Sequence, residues 1–193
     1  MAKVSSARED MLATAVELFR ARGYAGVGVA ELLEKSGAPR GSLYFHFPGG
    51  KEQVGAEAVA RVGAEVAQRF RDLRLSGVDL ATFIERVFKT TAREAKERNY
   101  EASCPMAAVA ACYSSENPKL QAAVRDAFVS WEHEICLAAR AEGLSEPYAD
   151  AFASAFLTAM EGAFVVSKAQ QSSAPHINAS RAMQALAAAL KLN

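Results

Sequence analysis

Apolar residues return every third or fourth position along almost the whole chain, and alternating apolar–polar runs are nearly absent. That period lines apolar side chains along one face of an α-helix, whereas a half-buried strand needs a period of two. Met11, Leu12, Ala15, Val16 and Phe19 form the first such face, which Gly23 stops. Val29 to Lys35 makes a short second helix. Leu43 and Phe47, four apart, anchor a third that begins near Pro39 or Arg40 and is broken by Pro48-Gly49-Gly50. Longer helices are expected from Lys51 to Arg74, from Asp79 to Arg98, from Pro118 to about Gly143 and from Ser145 onward, with a short one from Pro105 through Cys112. Gln170 to Ser180 reads as a turn-rich gap before a last Ala-rich helix carrying Met183, Leu186 and Leu190. The expected fold is all-α, with a natural break near Ser76-Gly77.

With 193 residues, 51% of them hydrophobic, the chain can bury a genuine core in one large or two small domains. Its formal net charge is zero, so a global basic field is absent and any polyanion must be met by a local patch. Residues 1 to 51 hold seven Lys/Arg against five Asp/Glu, a local excess of two. Cys104, Cys112 and Cys136 are an odd count without a CxxC pair, which points to reduced, buried thiols rather than a disulfide frame or metal site. The opening MAKVSSARED meets charge at once, and the longest uncharged run, Ala102 to Ser115, is too short for a membrane span. A cytoplasmic protein without a membrane partner is expected.

One stretch stands apart. Residues 36–54, SGAPRGSLYFHFPGGKEQV, crowd two Phe, a Tyr, a His and a Pro-Gly-Gly turn between flanking charges at Arg40 and Lys51. Two short helices meeting across Ser36-Gly37-Ala38-Pro39 have the spacing of a helix-turn-helix, whose second helix enters the major groove. On a helical wheel Leu43 and Phe47 share a narrow inward arc. Gly41, Ser42 and Phe45 fall opposite them, with Tyr44 and His46 on the flanks. Hydroxyls, an aromatic edge and an imidazole on one strip suit hydrogen bonds to base edges and phosphates and contact with thymine methyls. The positive N-terminal end of the next helix, with Lys51, suits a phosphate. Each side chain also has a plainer reading: Tyr44 and Phe45 as packing residues, His46, Arg40 and Lys51 as solvated surface groups.

The run Gly23-Tyr24, Leu32-Leu33, Ser36 to Phe47 and Lys51-Glu52 resembles the DNA-binding domain of the TetR family of bacterial repressors. The Pro-Gly-Gly-Lys-Glu turn and the later SCPMAAVA resemble its LmrA/YxaF-like branch. The resemblance implies a three-helix DNA-binding domain over residues 1–50. It implies an effector-binding and dimerisation domain over 51–193, with 51–75 as the connecting helix. Arg40, Gly41, Ser42, Tyr44 and Phe45 would approach bases or adjacent phosphates, and His46 and Lys51 would bind phosphate. Two positions depart from the family pattern. Val27-Gly28 stands where a capping Thr or Ser is common, so Gly28 is expected to cap the second helix weakly. The turn before Lys51 is one residue longer than usual.

A single domain of this size makes few phosphate contacts, so two copies on a near-palindromic double-stranded operator are expected. Ala155, Ala159 and Ala163 form a small-residue stripe beside Phe152 to Phe164, and with Met183 and Leu186 they are the candidate dimer surface, a four-helix bundle from two subunits. The same stripes also read as monomer core. The resemblance further implies a cavity after the break for a small hydrophobic effector. Phe83, Met106, Cys112, Phe128, Trp131, Phe156 and Met160 are its candidate lining, although Met and Phe at helical spacing also serve as plain core. Cys104, Tyr113, Ser130, His133, Glu161 and Lys168 are the polar groups expected within reach.

No catalytic or metal site and no cofactor are expected. WEHEIC at 131–136 holds one His, lacks the HExxH spacing, and splits Glu132 from Glu134 around the helix. There is no Gly-rich phosphate loop after a strand and no GxSxG elbow. A thiol redox sensor through Cys104 and Cys112, or a helical interaction module without DNA, are the competing classes.

Overall fold

The computed structural model describes residues 2–101 and 103–191, with side chains from residue 7 onward. Met1 and Asn193, the outer ends of the two expected segments, lie outside the described residues, as do Leu192 and Ala102, the first residue of the uncharged run. Nine helices and no strand are present among the described residues: α1 (Ala2–Arg22), α2 (Val29–Ser36), α3 (Ser42–His46), α4 (Gly50–Leu75), α5 (Leu80–Glu97), α6 (Pro105–Ala110), α7 (Pro118–Ala141), α8 (Glu146–Gln170) and α9 (Ala174–Leu190).

The helix ends follow from local chemistry. Gly28 caps α2 with extended backbone and no side-chain bond, as a glycine in place of a hydroxyl must. Gly37, in the left-handed region at φ +67, closes α2, and the Gly37 and Ala38 N–H groups bond Glu34 O and Leu33 O at 3.2 and 3.1 Å. Asp79 accepts from Thr82 N at 2.7 Å to start α5. At the start of α7, Glu52 reaches in from α4 and accepts from Lys119 N at 2.9 Å, while the Asn117 side chain turns back towards Ser114.

The expected gap over 170–180 is a correction. Only Gln171–Ser173 connects the helices, with Gln171 left-handed at φ +50, and α9 is helical from Ala174. Pro175 lies in its first turn, where its missing N–H and fixed φ cost nothing, so the Ser, Pro and Asn of this run open a helix rather than interrupt one.

The chain divides into two compact units that are not consecutive in sequence. One holds residues up to Ala64 together with Cys104–Ala127; the other holds Glu65–Ser103 together with the residues from Phe128 on. Helices α4 and α7 therefore each contribute to both.

In the first unit Met11, Ala15, Phe19, Leu32, Leu43, Phe47, Val54 and Ala58 are buried together as its core. The α6 segment packs on α1 through a tight corner. Gly23 is left-handed at φ +69, and a Cβ there would stand 2.5 Å from Cys112 Sγ and 2.8 Å from Ala108 O. The next N–H, of Tyr24, donates to Cys112 Sγ at 3.1 Å. A Cβ on Gly63 would lie 2.6 Å from Ala127 Cβ, so α4 and α7 cross at backbone contact.

The second unit is built on a chain of rings. Phe128 meets Trp131 at 5.5 Å, Trp131 meets Phe70 at 6.3 Å, Phe70 meets Phe83 at 5.9 Å and Phe83 meets Phe156 at 6.1 Å. All the pairs are tilted or edge-on, the arrangement the ring quadrupole favours. Glu134 on α7, only 2% exposed, accepts from Arg71 Nε at 2.9 Å and from Arg74 Nε and Nη2 at 3.0 and 2.8 Å. Burial alone raises its pKa, but the bonds from Arg74 and Arg71 outweigh it and hold the carboxyl below its ordinary range. Helix α8, with an 18-residue stretch of mean hydropathy 1.4, is long and apolar enough by composition to cross a membrane. Its stripe of Phe152, Phe156, Met160 and Phe164 is instead buried in this unit, as in a core helix.

Candidate nucleic-acid interface

Helix α3 is short because its first expected turn is spent otherwise. Ser42 donates both its N–H and its hydroxyl to Pro39 O, at 2.9 and 2.7 Å, so Pro39 to Gly41 form a turn and the helix runs only over Ser42–His46. Leu43 and Phe47 are fully buried, and Arg8 lies 5.0 Å from the Phe47 ring centroid. With two anchors fixed, the other side of the helix must face outward. Tyr44 is 66% and Phe45 74% exposed, although both are large apolar rings. Burying such rings is worth about 1.5–3 kcal/mol each, so their exposure in tandem is an unfavourable choice for stability alone.

The rest of the expected strip surrounds them. Arg40 and Gly41 are exposed, Ser42 is half-buried with its oxygen lone pairs available, and half-buried His46 packs edge-on against Phe45 at 5.0 Å. The Tyr44 ring runs along Gly50, where a Cβ would stand 3.3 Å from its Cε1. Lys51 is held differently from a free surface lysine. Its Nζ sits 4.1 Å from the centroid of the Tyr24 ring, and burial lowers its pKa despite the nearby Cys112. Burial, with a smaller push from Glu52, raises that of Tyr24. The Gly49 N–H donates to Gln53 Oε1 at 2.8 Å, so the N-terminal end of α4 is partly occupied by the chain's own side chain. Glu52 caps a neighbouring element and so leaves no local pattern in the sequence, whereas Gln53 reaches back to a residue four positions before it. On α2, Glu31 pairs with Arg22 and Lys35, which lower its pKa.

The candidate effector residues divide between the units. Phe83, Phe128, Trp131, Phe156 and Met160 belong to the second unit, the first four in the ring chain. Met106 and Cys112 belong to the first. Of the expected polar groups, Cys104 is buried, Tyr113 and Ser130 are half-buried, and His133 and Lys168 are exposed. Glu161 is half-buried. Of the candidate dimer residues, Ala163 and Met183 turn into the chain's own core, while Ala155, Ala159 and Leu186 are half-buried. The outward faces lie a step around each helix: Ser154, Thr158, Gly162 and Val165 on α8, and Ala182, Ala185 and Ala189 on α9.

This head has known counterparts. Residues 11–58 match the family model for bacterial regulatory proteins of the tetR family, and residues 81–182 match that for the C-terminal domain of LmrA/YxaF-like transcriptional regulators. The chain belongs to the TetR family, in its LmrA/YxaF-like branch. The regulator is 31% identical to the HTH-type transcriptional regulator LmrA of Bacillus subtilis, over 90% of this chain and 92% of that protein. It is 27% identical to YxaF of the same organism, over 91% and 92%. Its fold superposes on a TetR regulator from Legionella pneumophila with a TM-score of 0.83 at 15% identity, over 91% of this chain and 94% of that one. Escherichia coli NemR in its reduced form gives 0.78 at 24%, over 93% and 96%. The regulator is thus a DNA-binding transcription factor and not an enzyme.

Proposed function

We propose that the regulator is a cytoplasmic repressor that binds a near-palindromic operator as a homodimer and is released by a small hydrophobic effector. The observation that carries the DNA half is the exposed Tyr44–Phe45 pair on a helix pinned by fully buried Leu43 and Phe47. In this reading Arg40, Gly41, Ser42, Tyr44 and Phe45 meet bases and flanking phosphates. His46 and Lys51 lie on the phosphate backbone, with Lys51 swinging off Tyr24 to do so.

The outward faces of α8 and α9 support the dimer: small and β-branched side chains without a charge among Ser154, Thr158, Gly162, Val165, Ala182, Ala185 and Ala189 let two helix pairs approach closely. The ring chain of Phe83, Phe128, Trp131 and Phe156, with Met160 near it in sequence, supports an apolar effector. Because α4 and α7 each contribute to both units, an effector that repacks rings beside them can bias the DNA-binding head through two continuous helices. A coupling of about 1–3 kcal/mol corresponds to release by roughly 5–150-fold.

Footprinting the gene's own upstream region tests the reading. Two protected half-sites a whole number of helical turns apart, lost on adding a hydrophobic effector, are expected. A single unpaired footprint, or a monomer by sedimentation at micromolar concentration, contradicts it.

A further inference from the structure

The second unit carries a groove that neither the ring chain nor the recognition helix accounts for. It runs between α5 and α9, encloses about 520 Å³, and has Glu85, Phe88 and Lys89 on one wall and Ile177, Arg181 and Gln184 on the other. His176 and Ser180 also line it.

His176 is fully buried, and its tautomer follows from its neighbours. Thr91 Oγ1 lies 3.0 Å from His176 Nδ1, but the Thr91 hydroxyl already donates to Phe88 O at 3.0 Å. Having one hydrogen to give, Thr91 can only accept from the imidazole, so Nδ1 carries the proton and Nε2 is a bare acceptor. Among the described residues Nε2 has no hydrogen-bond partner, although it is out of contact with solvent. The ring lines the groove, and a small shift of the wall that uncovers Nε2 would give this unpaired acceptor an O–H or N–H from outside the chain. Burial pushes His176 down to about 4, so at neutral pH the ring accepts and does not repel a cation or attract an anion by charge.

Charge comes from the walls. Lys89 and Arg181 are exposed and have no carboxylate within ion-pair distance among the described residues; Glu85 likewise lacks a cation. Two cations against one carboxylate favour an anionic ligand group. Phe88, Ala92 and Ile177 give the groove its apolar lining. From His176 to Arg181 is five residues along α9, a rise of about 7.5 Å. On α9 the groove-side Ile177 and Gln184 lie about a quarter-turn or more around the helix from Ala182, Ala185 and Ala189, with Arg181 between the two faces.

We propose that the α5–α9 groove is a binding site for a small amphipathic carboxylate bearing a hydroxyl at its far end. The hydroxyl donates to His176 Nε2 as the wall over it yields, the carboxylate sits at Lys89 and Arg181, and the hydrocarbon body lies on Phe88 and Ile177. This site goes beyond the regulator reading and does not depend on it.

Calorimetric titration of the full chain without DNA tests it, using ω-hydroxyalkanoates of six to ten carbons, with the unhydroxylated alkanoates and the alkanediols of equal length as controls. The best hydroxyalkanoate is expected to bind roughly tenfold or more tightly than either control of its length. The exposed double variant Lys89→Ala/Arg181→Ala should weaken it by about tenfold or more while leaving the diols unchanged. His176→Phe should abolish the preference for the hydroxyl. Equal affinity for all three ligand types, no binding by any hydroxyalkanoate below about 10 mM, or full binding by the Lys89/Arg181 variant overturns the proposal. Because the double variant alters only exposed side chains, the test stands even if His176→Phe does not fold.

Discussion

Glu134 offers the sharpest stability prediction, because its three hydrogen bonds are unequal in a way the structure specifies. Arg74 is 21% exposed and gives two of them; Arg71 is 50% exposed and gives one. The Arg71 bond comes from a half-exposed guanidinium and is worth about 0–1 kcal/mol. Losing the charge that faces Arg74 leaves a mostly buried guanidinium without a counter-ion, a cost of about 2–4 kcal/mol. Glu134→Gln should therefore destabilise the protein by about 2–4 kcal/mol, which for a chain of this size lowers Tm by roughly 5–15 °C. Arg74→Ala should cost nearly as much, and Arg71→Ala less than about 1 kcal/mol. Urea denaturation at fixed protein concentration, read as a shift in midpoint at constant slope, is the assay. If Glu134→Gln matched wild type, or Arg71→Ala cost as much as Arg74→Ala, the view of this cluster as a buried clamp with one dominant arm would be wrong.

Three further outcomes follow from named contacts. His176 titrates near 6.5 when unfolded and near 4 when folded. The unfolded state thus takes up a proton the folded state refuses as pH falls, and the contribution of a neutral buried ring is complete above about pH 6.5 and lost towards pH 4. That gap is worth up to about 3 kcal/mol. Relative to His176→Phe, wild type should lose stability between about pH 6.5 and 5, and parallel urea–pH curves would refute the assignment. Gly23→Ala should destabilise by about 2–4 kcal/mol, combining left-handed backbone strain with a Cβ that meets Cys112 Sγ and Ala108 O. Adding Cys112→Ala should recover part of the loss but not all, since the carbonyl stays; full recovery would deny the backbone contact. Cys136, raised to about 11 by burial and by its bond to Asp150, should be alkylated far more slowly than free cysteine at neutral pH, and mass spectrometry showing equal rates would contradict that.

Much of this was legible in the chain because helical period is a local signal. The stripes of α5 and α8 are buried as the spacing requires, that of α1 is buried except for half-buried Val16, and Leu43 and Phe47 do pin α3. Three things were not legible. The start of α9 was hidden because Ser, Pro and Asn serve both turns and first helical turns. The grouping of Cys104–Ala127 with the head depends on contacts such as Tyr24 with Cys112 and Lys119 with Glu52, 88 and 67 residues apart. The outward faces of α8 and α9 depend on which neighbours cover each helix, and a stripe of alanines carries no sign of that.

Tyr44 and Phe45, the exposed pair on α3, are the proposed DNA contacts. Fluorescence anisotropy with the gene's upstream region, comparing wild type with Tyr44→Ala and Phe45→Ala, tests this most directly. Operator affinity should fall by about 10–100-fold in Tyr44→Ala, and measurably in Phe45→Ala, while stability by urea denaturation holds within about 0.5 kcal/mol. Undiminished binding by both variants would contradict that role.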